Sequence, residues 1–140
     1  MYRILVLILM TLYLVAPPAF ASDSNVAKLE NRINNLRANH DLRPYKSNAE
    51  LQRVAQRRSD RLAEIQKLKH SPNLKKRLSA RAVGEIIGVG TGWKGVYRSL
   101  KRSPEHKGLM LSKTFRQQGA GQTRDRRGRL WVVVIFQDPR

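Results

Sequence analysis

The chain contains no cysteine. That removes disulfides, cysteine-ligated zinc and cysteine nucleophiles, so its stability must come from packing and hydrogen bonds. Acidic residues are also scarce, with 10 Asp and Glu against 28 Lys and Arg, for a formal net charge of +18. Such an excess attracts anionic surfaces: lipid headgroups, envelope phosphates or nucleic acid. Long apolar runs are missing too, with one exception at the start. Arg3 precedes "ILVLILMTLYLV", and "APPAFA" follows with small residues at Ala19 and Ala21. Basic start, apolar core and small-x-small site read as a secretory signal peptide over residues 1–21, cleaved before Ser22. No later run approaches the roughly 20 apolar residues of a membrane span, so no transmembrane segment is expected after its removal. Export argues against a specific nucleic-acid partner, and a cysteine-free exported chain fits a bacterial envelope. Residues 22–140 are enough for one domain with a real core.

What remains is patterned. Val26, Leu29, Ile33 and Leu36 recur at the spacing of one helix face, and residues 39–44 interrupt it. Ser47 with Glu50 three positions on predicts a capping box. Leu51, Val54, Ala55, Leu62 and Ile65 then line a second helix ending near Leu68. The stretch 69–92 reads as a long loop with an extended piece near Val83–Ile87. A third helix is predicted from Trp93 to Lys101. Ser103 and Pro104 stand as N-cap and first residue of a short helix ending near Leu111. Two strands close the chain, at about 114–121 and at "LWVVVIFQ", residues 130–137. The second is apolar nearly throughout, which calls for cover on both sheet faces and a three-layer arrangement.

The chain has three histidines, and two of them invite grouping with an acid. His70 follows the second helix, Glu85 lies in "VGEIIG", and His106 opens the short capped helix. Two imidazoles and a carboxylate can bind a divalent transition metal or exchange protons with a ligand. The spacing fits no short metal signature. A surface histidine, a capping glutamate and a satisfied loop histidine are the other reading of these residue types.

The ordered set of motifs resembles the cysteine-rich secretory, antigen 5 and pathogenesis-related (CAP, or SCP-like) superfamily, in its cysteine-free bacterial form. The match begins with Asn34 and Arg37, then Leu42, Pro44, Asn48, Leu51 and Ala55, followed by His70. The Gly-Glu-Asn motif corresponds to Gly84 and Glu85, and Ser-Pro-x-His to Ser103, Pro104 and His106. The tail corresponds to Phe115, Gly119, Gly121, Trp131 and Phe136. Ile86 stands where the family has asparagine, Leu100 where it has tryptophan, and His40 and Asp41 replace a glycine neighbourhood. The resemblance implies an α/β fold of the alpha-beta-alpha sandwich type. It also implies a cleft of two histidines and two acids that can hold zinc or another divalent metal. Three of those four match, His70, Glu85 and His106, and no fourth is placed.

Other residues have structural readings. Asn34 and Arg37 are expected to tie the first helix to the following loop. Gly119 and Gly121 are expected to permit close backbone packing or a bulge, and Trp131 to be core. The functional expectation is an extracytoplasmic protein, periplasmic or secreted, with a His/Glu cleft for a small ligand or divalent metal. Its basic surface would meet envelope polyanions. A metal-dependent hydrolase and a lipid-binding protein are the alternatives, and whether the protein is an enzyme stays open.

Overall fold

A computed structural model describes residues 24–140. The expected signal peptide lies outside the described residues. Helix α1 (Ser24–Ala38) opens the fold, followed by a two-residue strand β1 (Lys46–Ser47) and helix α2 (Ala49–Ile65). A single turn of helix, α3 (Leu74–Arg77), leads into strand β2 (Ala82–Gly90). Helices α4 (Trp93–Arg102) and α5 (Pro104–Met110) come next, and strands β3 (Gln117–Arg124) and β4 (Leu130–Asp138) complete the chain.

The four strands form one sheet in the order β1-β3-β4-β2. β1 runs parallel to β3, whereas β3 and β2 each pair antiparallel with β4. Strand periodicity splits β4 between two cores. Trp131, Val133 and Ile135 meet Leu51, Val54, Ala55 and Leu62 of α2. Leu130, Val132, Val134 and Phe136 meet Val26, Leu29 and Ile33 of α1, Val96 and Leu100 of α4, and Met110 of α5. The fold is therefore an α/β/α sandwich, as the two-sided burial of residues 130–137 requires.

Two glycines set the spacing of α2 against the sheet. A Cβ on Gly119 would lie 2.4 Å from the Gln52 nitrogen, and one on Gly121 2.3 Å from the Gln56 nitrogen. The helix backbone sits directly on β3, and no side chain fits between them. The expectation of close packing is met here.

Several local expectations change. The N-cap of α2 is Asn48, whose Oδ1 accepts from the Leu51 N–H at 3.0 Å. Ser47 lies in β1, and its hydroxyl donates to the Glu30 carboxylate instead. The predicted loop 69–92 holds both α3 and a nine-residue β2. Strand β3 begins three residues later than predicted, at Gln117. Asp41 takes the left-handed conformation (φ 55°) just beyond α1. Leu42 N–H returns to the Arg37 carbonyl (3.0 Å) and Asp41 N–H to that of Ala38 (3.1 Å). This is a helix stop in which aspartate does what glycine commonly does.

Candidate functional site

The side chain of Glu85 points to the α2 face of β2, because alternation puts its neighbours Gly84 and Ile86 on the opposite face. There its carboxylate is only 6 % exposed and meets three donors. Arg58 Nε donates to Oε1 at 2.7 Å. His70 Nδ1 lies 2.9 Å from Oε2, and the Ser71 N–H donates to that oxygen at 3.0 Å. An ionised carboxylate only accepts, so His70 carries its proton on Nδ1 and leaves Nε2 free of Glu85. Arg58 also donates from Nη2 to the Lys69 carbonyl at 2.5 Å, fixing the backbone that presents His70. The His70 side chain is 64 % exposed.

This trio forms one wall of an open cleft of about 430 Å³ at the β2 edge of the sheet. Leu74, Val83 and Leu109 supply its apolar surface, with Lys75 beside them. His106 is not among the lining residues. It lies on α5, which packs on the other face of the sheet, where Leu109 and Phe115 crowd Gly84. Among the described residues no three His, Asp or Glu side chains are grouped closely enough to hold a metal ion. The structure thus joins His70 to Glu85 and leaves His106 apart, half-buried one turn before Leu109. As placed, the three do not fit a metal. Glu85 already faces a guanidinium, which competes with any cation for its carboxylate.

The supporting residues fall largely where the motifs put them. Asn34 grips the backbone of Tyr45, donating from Nδ2 to its carbonyl (3.0 Å) and accepting from its N–H (2.9 Å). Arg37, 3 % exposed, donates from Nε to the Arg43 carbonyl (2.7 Å) and from Nη1 to those of Met110 and Ser112 (both 2.8 Å). Its guanidinium lies 3.6 Å from the centre of the Tyr45 ring. Burial lowers the Arg37 pKa from its ordinary value and pushes the Tyr45 phenol up to about 12. The tie between helix and loop is therefore real, and it reaches on to the end of α5. Ser103 occupies the N-cap position of α5 with Pro104 at its start, but the Ser103 hydroxyl makes no capping bond. Trp131 is 2 % exposed core, and its indole N–H donates to Asp125 Oδ2 at 2.8 Å.

Two charged residues escaped the sequence reading. Arg58 falls on the α2 stripe that includes Leu51, Val54, Ala55 and Leu62, and a cation on an apolar stripe was the available signal. Glu30 falls likewise on the α1 stripe, 3 % exposed. Its Oε1 accepts from Gln52 Nε2 (3.0 Å) and from the Ala120 N–H (2.9 Å), pinning α1 to α2 and β3.

Residues 30–136 match the cysteine-rich secretory protein (CAP) family. The chain belongs to that family. Among solved structures, an outer surface protein from Borrelia burgdorferi superposes with a TM-score of 0.76 at 19 % identity, over 84 % of this chain and 95 % of that one. An extracellular protein containing an SCP domain from Bacillus anthracis gives 0.73 at 19 %, over 82 % of this chain. A cysteine-rich secretory protein from Staphylococcus aureus gives 0.68 at 19 %, over 86 %. The chain spans only 40 % and 41 % of the last two. No curated protein matches the sequence. At these identities the CAP structures share the fold. Among the described residues no helix of this CAP domain is long and apolar enough to cross a membrane.

Proposed function

We propose that this CAP-domain chain is an extracytoplasmic binding protein. Its cleft takes a small ligand with one apolar part and one polar head, and its basic surface holds it to envelope polyanions. The observation that carries the reading is the pairing of Glu85. With Arg58, His70 and the Ser71 N–H all directed at it, the carboxylate orients its neighbours rather than serving as a free base or metal ligand. What faces the ligand is the exposed His70 ring beside Lys75, over Leu74, Val83 and Leu109. A few polar groups converging on apolar surface is the usual make-up of a small-molecule site. Extracytoplasmic placement is supported by the apolar run at residues 4–15 and by the outer surface and extracellular proteins that share the fold.

The test is backbone NMR titration with decanoate, and in a separate arm with zinc chloride, on wild type and His70→Ala. Decanoate shifts at Gly84, Lys75 and Leu109 that weaken in the variant are expected. Zinc binding that is lost in His70→Ala and shifts the His106 resonances in wild type would instead restore a metal site. Shifts confined to other surfaces would sink the cleft reading. Mass spectrometry of the exported protein should place its first residue at Ser22.

A further inference from the structure

A second cavity, of about 630 Å³, lies between the segment after α1 and the segment before β3. It shares no lining residue with the His70 cleft. Its wall includes Arg37, Arg43, Lys46, Lys113 and Arg116, with Asp41 as its acid. Arg37 is the unusual member. It is 3 % exposed, and Nε and Nη1 are fixed on three carbonyls, yet Nη2 has no hydrogen-bond partner among the described residues. None of the ion pairs among those residues involves Arg37, Arg43, Lys46 or Lys113. Nη2 is not among the buried atoms left without a partner, so it is open to the solvent of the cavity, where an arriving anion would supply the counter-charge that this cluster lacks.

We propose that this cavity is an anion site for a phosphate or phosphodiester group, with Arg37 as its fixed donor and Arg43, Lys46, Lys113 and Arg116 closing over the charge. Guanidinium groups match phosphate oxygens with paired N–H donors, and a donor already immobilised loses little entropy on binding. The Tyr45 ring supports one face of the guanidinium and keeps it from turning away. The proposal deepens the polyanion part of the reading above and is independent of the His70 cleft. The phosphate could come from a soluble glycerol-phosphate polymer or from a lipid headgroup, and the two are separated by experiment.

The protein, purified in the form the cell makes, is titrated with short poly(glycerol phosphate) and with phosphatidylglycerol/phosphatidylcholine vesicles. The variants are R43A/K113A and, as a control of equal charge loss on α3 outside both cavities, K76A/R77A. Arg37 stays intact because it also holds the fold together. Saturable binding is expected, with an upfield or downfield displacement of the Arg37 Nε–H resonance. R43A/K113A should bind about tenfold or more weakly, and K76A/R77A within about threefold of wild type. The tighter of the two probes identifies the source of the phosphate. Equal weakening in both variants, or an unmoved Arg37 resonance, would overturn the cavity while leaving diffuse polyanion binding in place. No binding of either probe overturns both.

Discussion

Arg58 Nε stands 2.7 Å from Oε1 of Glu85, 27 residues further along the chain, and joins a helix to an edge strand. Both side chains are largely covered, at 14 % and 6 % exposure. Removing one partner from such a pair strands the other's charge, whereas removing both does not. Glu85→Leu and Arg58→Met should each destabilise by about 2–4 kcal/mol, and the double variant by less than the sum of the two. Urea unfolding of the four proteins measures the coupling. Simple additivity would mean that the two side chains contribute separately.

The glycines make an opposed pair of expectations. Gly121→Ala drives a methyl into the α2 backbone at Gln56, which cannot yield as a side chain can. It should cost about 3 kcal/mol or more, at the upper end of overpacking penalties. Gly95→Ala, inside α4 with no atom within 4 Å of the added Cβ, should stabilise by about 0.5–1 kcal/mol. Thermal melts of the two variants give the comparison directly, and a tolerated Gly121→Ala would contradict the helix-on-strand packing.

Asp125 organises the β3–β4 hairpin and accepts from the Trp131 indole, its surroundings enclosing the carboxylate although the turn is at the surface. The Trp131 bond, followed by those from the Arg129 backbone and side chain, holds its pKa well below the ordinary 3.8. A depressed folded pKa means that the contribution is complete above the ordinary carboxylate range. It is lost as pH falls below about 4 towards the folded value. Asp125→Asn should therefore lower stability at pH 7 and flatten the acid limb of the stability profile. An acid limb unchanged in the variant would deny Asp125 that role.

Tyr45 titrates in the other direction. Burial raises its phenol to about 12, and its hydroxyl donates between the Leu109 and Ser112 carbonyls, each 2.9 Å away. A raised folded pKa gives stability that is complete below pH 10 and lost as pH rises from about 10 to about 12. Tyr45→Phe should cost about 1 kcal/mol at pH 7 through the lost hydroxyl bond and reduce the alkaline sensitivity. Phenolate absorbance followed through alkaline unfolding measures both. Ionisation of this ring near pH 10 in the folded protein would show that it is not enclosed.

Much of the architecture was readable because it is written in local periodicity. The α1 and α2 stripes, the Trp93 helix and the two-sided burial of residues 130–137 each follow from spacing within one element. The Asn34 and Arg37 tie was readable from motif position. Other features needed contacts that no single element contains. Ser47 looked like a cap for α2 because the acid that takes its hydroxyl, Glu30, lies 17 residues away on α1. Residues 69–92 looked like loop because β2 alternates glycines with apolar residues, and those glycines make sense only against Val96, Leu109 and Phe115.

By itself the sequence determined the charge balance, the lack of covalent staples, the order of the main helices and closing strands, and membership of the CAP family. These depend on composition, on short-range periodicity and on motifs in register along the chain. The tertiary structure alone decided which residues share a site. His70, Glu85 and His106 are equally plausible partners on paper. The sheet then turns Glu85 towards Arg58 and His70, while α5 carries His106 on the opposite face. A side chain's face is fixed by strand register and by the layer a helix joins, and both are settled by packing between distant segments.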